Sequence, residues 1–341
     1  MELSRRGPGI LLRDILKGDD PAIKAIIETV AEIDPDVLLL TGIDWDYDLA
    51  ALTALAKGFE DKGTSFPNLF ARQPNSGLMT EMDLDGDGRS GGPGDAQGYG
   101  KFTGDGGVAL LSRLPMDHDK VRDFSQVLWQ DLPDASLPEI DGQLFPSVEA
   151  SEIQRLSSAV HWDIPIILPN GRLHVLAFAA GPPVFDGPED RNGLRNHDEV
   201  AFWTRYLDGQ LATPPKDPVV VMGNGNLDPV DGEGLHQAMI NLLAHPRLQD
   251  PAPRSDGGEQ AAAQGGANDR HRADPSFDTV DWRDDPGPGN LRVSYVLPDR
   301  SLDVKDAGVF WPVPNAPNAK LITAKDGPRH RMVWVDIELP P

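Results

Sequence analysis

The chain contains no cysteine. Disulfides, thiolate metal sites and cysteine nucleophiles are thereby excluded, while the cellular compartment stays open. No run of about 18 apolar residues occurs, so no transmembrane helix is expected. The opening Met1-Glu2-Leu3-Ser4-Arg5-Arg6-Gly7 lacks the apolar segment of a signal peptide. No repeat of fixed period is present, which argues against a solenoid. Positive charge is also scarce: 31 Lys and Arg stand against 54 Asp and Glu, a net charge of -23. Such a surface repels nucleic acid unless a local basic patch or bridging cations intervene. Nucleic acid is therefore not an expected partner, whereas a protein partner is compatible with this surface.

What is present suffices for a large core: 341 residues, of which 39% are hydrophobic. Residues 9–17 read as a helix. Asp20 caps a second helix, with Pro21 at its first position. Its Ile23, Ile26, Ile27, Val30 and Ile33 recur at helical spacing, and Asp34-Pro35 stops it. Asp36-Val37-Leu38-Leu39-Leu40-Thr41 is a continuous apolar strand, the pattern of a strand covered on both faces. Further helices are expected over 49–62, 194–207 and 234–243. Strands are expected over 107–112, 164–168, 173–180, 218–222, 291–297, 309–311 and 332–339, with a hairpin turn at Pro169-Asn170-Gly171. Residues 72–106 and 251–277 read as long loops, the second a mobile one. The alternation of strands with helices, together with hairpins, argues for mixed sheets with helices outside, in one α/β domain over 1–341.

Short blocks stand at the ends of these strands. They are Pro35-Asp36-Val37-Leu38-Leu39-Leu40-Thr41-Gly42-Ile43-Asp44, Gly107 to Pro115 with its Ser-Arg-x-Pro ending, and Leu173 to Pro183. Gly223-Asn224-Gly225-Asn226, Arg292-Val293-Ser294-Tyr295-Val296-Leu297 and Pro328-Arg329-His330-Arg331-Met332-Val333 follow. In this order and spacing they resemble the blocks of the endonuclease/exonuclease/phosphatase superfamily, the relatives of pancreatic deoxyribonuclease. Residues 182–196 and 278–310 look like a bacterial subgroup of it. The resemblance implies a four-layer α/β sandwich, two mixed β-sheets packed face to face with helices outside. It also implies Mg²⁺-dependent hydrolysis of phosphodiesters or phosphomonoesters. Family members begin with a core strand ending in Asn, before the segment matching Glu2-Leu3-Ser4. Met1 falls where that strand should already have finished, so the chain is expected to lack it. A leader upstream of Met1 would make the protein periplasmic or extracellular, and its absence cytoplasmic.

Phosphate-ester hydrolysis near neutral pH needs a hard cation on carboxylates, a base to activate water, and donors for the developing charge. The resemblance places these roles on named positions, and most are altered. Gly42 stands where the family has its cation-binding Glu, and Ala179 where it has a phosphate-binding His. Asn224 replaces the Asp of the Gly-Asp-x-Asn turn, Ser294 the Asp of the Asp-Tyr strand, and Arg329 the Asp that orients the closing His. Asn226 and His330 keep the family identity, although Asn226 in a Gly-rich turn also suits an Asx-turn. Asp44 and Asp46 are candidates for re-sited ligands, or else turn carboxylates and helix caps. The expectation is a degenerate phosphoesterase acting as a binding or structural module. The alternative is an active Mg²⁺-dependent phosphodiesterase or phosphatase with re-sited ligands.

Asp83-Leu84-Asp85-Gly86-Asp87-Gly88-Arg89 reads as the first half of an EF-hand-type Ca²⁺ loop. The twelfth position is Gly94 rather than an acid, with Asp95 one place later, so Asp83, Asp85, Asp87 and Asp95 are the candidate Ca²⁺ ligands. Arg155 and His161, flanking Trp162, either face a phosphate or serve as surface and core partners. Asp198 and Glu199 are explained by capping and ordinary charge pairing early in a helix.

Overall fold

In the computed structural model, which describes residues 3–323 and 327–339, the first elements follow from local chemistry. Helix α1, Ile10–Lys17, is followed by α2, Pro21–Ile33. The Asp20 carboxylate accepts from the N–H groups of Ala22 and Ile23, and Pro21 sits in the first turn, where a missing N–H is harmless. Asp34 ends the helix in the left-handed region, at φ 52°.

Strand β1, Val37–Ile43, alternates its side chains between two cores. Leu38 and Leu40 pack under the helices with Leu11, Ile26 and Val30, and with Leu55 and Phe59 of α3, Ala50–Glu60. Val37 and Leu39 point the other way, into a core shared with a second sheet. This period of two is why an unbroken apolar run forms a strand covered on both faces.

The first sheet is antiparallel, in the order β1–β3–β2, with β2 at Asn68–Phe70 and β3 at Gly107–Ser112. Among the described residues the second sheet has five strands. These are β4 (Arg122–Asp123), β5 (His161–Leu168), β6 (Gly171–Ala179), β7 (Val219–Asn224) and β8 (Ser294–Pro298). They lie in the order β8–β7–β6–β5–β4, with β6 and β7 parallel and the other neighbours antiparallel. Helices α4, Arg191–Leu207, and α5, Gln237–Leu243, cover its outer face, where Trp203, Tyr206 and Met239 meet Phe178 and Val221. Between the sheets, Val108 and Leu110 meet Trp162, Ile164, Val175 and Val220. Helix, sheet, sheet, helix is the four-layer α/β sandwich expected from the sequence. Strands β9, Asp303–Phe310, and β10, Met332–Glu338, form an antiparallel pair.

The structure departs from the sequence reading in several places; strands β5 and β9, for example, begin at His161 and Asp303, before the expected 164 and 309. The strand expected over 291–297 is broken: Asn290–Leu291 pairs with Val280–Asp281, and only Ser294–Pro298 joins β7. The break is held by side chains, since the Arg292 N–H donates to Asp228 and the Val293 N–H to Thr279 Oγ1. Residues 251–277, expected to be a mobile loop, contain α6, Asp256–Ala261, capped by Ser255, and several 3-10 turns. A Cβ on Gly257 would stand 2.1 Å from the Trp311 carbonyl, so this segment packs through bare backbone, which its low apolar content concealed. Helix α4 begins one turn earlier than expected. Leu3 meets β1 through a parallel bridge to Ile43, its N–H 2.8 Å from Gly42 O.

Candidate functional site

Strand register brings three of the expected positions together. Ala179 stands opposite Asn224 in the β6–β7 pairing, and Asn224 opposite Ser294 in β7–β8. The next residues on the same face, Ala177, Met222 and Val296, pack into the inter-sheet core. The row Ala179–Asn224–Ser294 therefore faces the side on which the first sheet lies. None of its side chains ionises.

The Asn224 turn is closed on itself. Asn224 Oδ1 accepts from the Asn226 N–H at 3.0 Å, and its Nδ2 donates to Asn226 Oδ1 at 3.1 Å. Asn226, at φ 47°, donates its own Nδ2 to the Ala180 carbonyl at 2.8 Å. Asn tolerates this left-handed backbone better than most residues. A Cβ on Gly223 would lie 2.2 Å from Phe178 O, so glycine is required there. Behind the turn, the buried Asp228 carboxylate accepts from the N–H groups of Val230, Asp231 and Arg292.

The remaining positions lie on other elements. Gly42 sits at φ 75° beside a register shift between Thr41 and Ile43, and offers no ligand. Asp44 is buried and its oxygens accept from the N–H groups of Arg5 at 2.9 Å and Gly106 at 3.2 Å. Burial outweighs these bonds and raises its pKa to about 6. Asp46 accepts from Ala50 and Ala51 N–H at 2.7 and 2.9 Å, capping α3. His330 bridges to Val280 and meets the Trp282 ring edge-on at 5.7 Å. Burial, with the charge of Arg331, lowers its pKa to about 3, so the imidazole is neutral. Arg329 is exposed. Thr279 ties this closing segment to the row: its carbonyl accepts from Arg331 N–H, and its Oγ1 from Ser294 N–H.

The model of the Endonuclease/Exonuclease/phosphatase family matches residues 15–324. The chain belongs to that family. Its fold is similar to a solved endonuclease/exonuclease/phosphatase from Beutenbergia cavernae DSM 12333, at 14% identity and TM-score 0.56, covering 98% of this chain and 68% of that one. A family protein from Leptotrichia buccalis C-1013-b is similar at 15% identity and TM-score 0.50, covering 93% of each chain. No curated protein matches in sequence.

Members of the endonuclease/exonuclease/phosphatase family are typically divalent-metal dependent. The row does not fit such an ion: Ala179, Asn224 and Ser294 offer no carboxylate, Gly42 offers no side chain, and the oxygens of Asp44 and Asp46 hold backbone N–H groups.

Carboxylates do converge elsewhere in this family member. One oxygen each of Asp83, Asp85 and Asp87 lie within 4.8 Å of one another. Backbone N–H groups of Gly86 and Gly88 on Asp83, of Asp87 on Asp85, and of Arg89 on Asp87 wind the loop around them. Asp95 stands apart from this group. It is buried, with one oxygen on Leu84 N–H at 2.9 Å and the other on Gly92 N–H at 2.7 Å. A Cβ on Gly94 would stand 1.8 Å from Asp85 Oδ2, so a side chain at the twelfth position would have to displace the Asp85 carboxylate.

Sequence reasoning underrated α4. Arg195, Asn196, Asp198 and Glu199 are buried rather than solvated. Glu199 accepts from Ser158 N–H at 2.5 Å and Gly181 N–H at 2.8 Å, and burial raises its pKa to about 7. Asn196 Nδ2 bonds both Gly181 O and Gly225 O, at 2.7 and 2.8 Å, and so ties the exits of β6 and β7 together. His161 is a core partner, 2.6 Å from Ser157 Oγ and 2.9 Å from Glu199 O, with burial lowering its pKa to about 4. Arg155 donates to Asn75. The signal was spacing: Arg195 and Glu199 share a helix face with Trp203, and a charged residue in an apolar stripe is an interior one.

Proposed function

We propose that the chain is a family member that has given up phosphoester hydrolysis and serves as a binding or structural module. The observation that carries this reading is the row Ala179–Asn224–Ser294, with the amides of Asn224 and Asn226 committed to each other and to Ala180 O. One missing acid or base lowers a rate by about 10²–10⁴. In groups that act as a unit, the first loss removes most of the rate. His330 is a weak basis for a working centre, because its lowered pKa makes it a poor proton acceptor and its ring meets Trp282 edge-on. The net charge of -23 favours a protein partner over nucleic acid.

The expected result is no turnover of a generic phosphodiester or phosphomonoester with Mg²⁺ or Mn²⁺. Metal-dependent turnover that disappears in His330→Ala would overturn the reading in favour of a working hydrolase with ligands such as Asp44 and Asp46.

We further infer that Asp83, Asp85 and Asp87 take Ca²⁺, on the support of their convergence. Calorimetry should show Ca²⁺ binding that Asp85→Asn weakens at least about tenfold, given how ligand charge tunes such loops. No binding heat, and equal Tm in Ca²⁺ and in chelator, would exclude it.

A further inference from the structure

Three aromatic side chains stand in the open on loops at the end of the sandwich where the row lies. Tyr47, 87% exposed, follows the exit of β1. Tyr99, 70% exposed, belongs to the segment 72–106, and Phe185, 89% exposed, follows the exit of β6. One chain of contacts joins their segments. Trp45, edge-on to Tyr47 at 6.5 Å, donates its N–H to Gly104 O, and the Gly104 N–H goes to Ser76 O. Ser76 bridges to Gly98, the neighbour of Tyr99. A Cβ on Gly98 would stand 1.8 Å from Ser158 O, and one on Gly181 2.7 Å from Ser158 Oγ. Gly181 in turn leads from Ala179 into the segment that carries Phe185. The three aromatics therefore share one rim.

Phe185 is held there against its own preference. Its φ is 74°, a left-handed backbone that a bulky side chain rarely adopts. Asn192, in the first turn of α4, fixes the residues on both sides of it: Nδ2 donates to Val184 O at 2.8 Å, and its N–H to Asp186. The ring gains almost no burial in return. A strained aromatic that adds nothing to the core has the character of a binding anchor. The charge around the three rings is mostly negative. Asp48, Asp186 and Asp190 are exposed, and Asp46, Asp105 and Glu189 half-buried, in the segments 44–48, 99–105 and 184–190, whose one basic residue is Lys101. Arg6 and Arg329 are exposed on neighbouring segments.

Aromatic faces attract cations, and carboxylates beside them add to that attraction while repelling anions. We propose that this rim docks a Lys- or Arg-bearing segment of a protein partner, with Phe185, Tyr47 and Tyr99 as its anchors. The inference rests on the binding-module reading and names the chemistry of the partner. A net charge of -23 speeds the encounter with a basic segment, and the rings then hold it.

The probe is a fluorescein-labelled peptide of alternating Arg and Gly, titrated with the full chain at about 0.15 M salt, where long-range attraction is screened. Its anisotropy should rise on binding. Phe185→Gly and Tyr47→Ser should each weaken that binding about fivefold or more. Neither substitution alters the charge, so attraction to net charge alone would leave both unaffected. Glycine accepts φ 74°, so Phe185→Gly should melt no lower than the natural chain, which separates lost binding from lost fold. Ile167→Ser, at the opposite end of β5, should bind as the natural chain does. No binding by the natural chain, binding unaltered in Phe185→Gly, or an equal loss in Ile167→Ser would overturn the proposal, as would binding of phosphatidylcholine vesicles in place of the peptide. The hydrolysis assay is read separately: phosphoester turnover overturns the binding-module reading, whereas absent peptide binding without turnover overturns the docking surface alone.

Discussion

Asn226 stands where the resemblance puts a phosphate-holding Asn, yet its amide is committed to Asn224 and to Ala180 O. Identity at a strand end is thus readable from sequence, because the blocks are local. What a side chain is committed to is not, because its partners arrive from other segments. Asp278 makes the same point. It is 5% exposed, and no hydrogen bond to its carboxyl is present among the described residues. Burial, and then the charges of Asp228, Asp231 and Asp274, raise its pKa from 3.8 to about 8. The folded state therefore holds a proton that the unfolded state releases, and stability falls as pH rises between about 4 and about 8. Asp278→Asn should remove that component and raise stability at pH 8 by on the order of 2 kcal/mol, a few degrees in Tm. Thermal melts across this range check it, and an unchanged slope in the variant would rule it out.

Among the elements, α2 was legible from its cap and stop signals, and β1 from its apolar run. The split at 292–293 was not, because Asp228 and Thr279 hold it from outside the segment. The sequence suits Asp46 to either ligand or cap, and in the fold its oxygens lie on the first turn of α3. Asp46→Ala should cost about 1 kcal/mol in denaturant unfolding, with no effect on any cation response. Asn196→Ala on α4 should cost more, on the order of 2 kcal/mol, because it leaves the Gly181 and Gly225 carbonyls without their shared donor. A cost near zero for Asn196→Ala would mean that β6 and β7 hold their exits without α4.

For the whole molecule, mixed sheets with helices outside were readable from the alternation of helices and strands, and the four layers only through the family resemblance. The register that aligns 179, 224 and 294 was readable only through the resemblance, since β6, β7 and β8 lie far apart in sequence. That register makes a direct experiment available. The combined variant Ala179→His, Asn224→Asp and Ser294→Asp should place three ligand-type side chains in one row and create calorimetric Mn²⁺ binding at the row. The measurement is best made with Asp85→Asn as the background, so that the acidic loop contributes little. An intact fold with no added binding would show that alignment alone does not rebuild the centre.

Gly42 bears on the direction in which such a protein can change. Its backbone lies at φ 75°, where an L side chain is disfavoured by roughly 1–2 kcal/mol. Gly42→Glu therefore meets a main chain that disfavours any side chain, and its carboxylate would leave on a different vector from that of an extended strand. We propose that gaining a usable carboxylate here takes two coupled changes, a straighter strand and the new side chain, so that the bend biases this position against any single-step gain of a ligand.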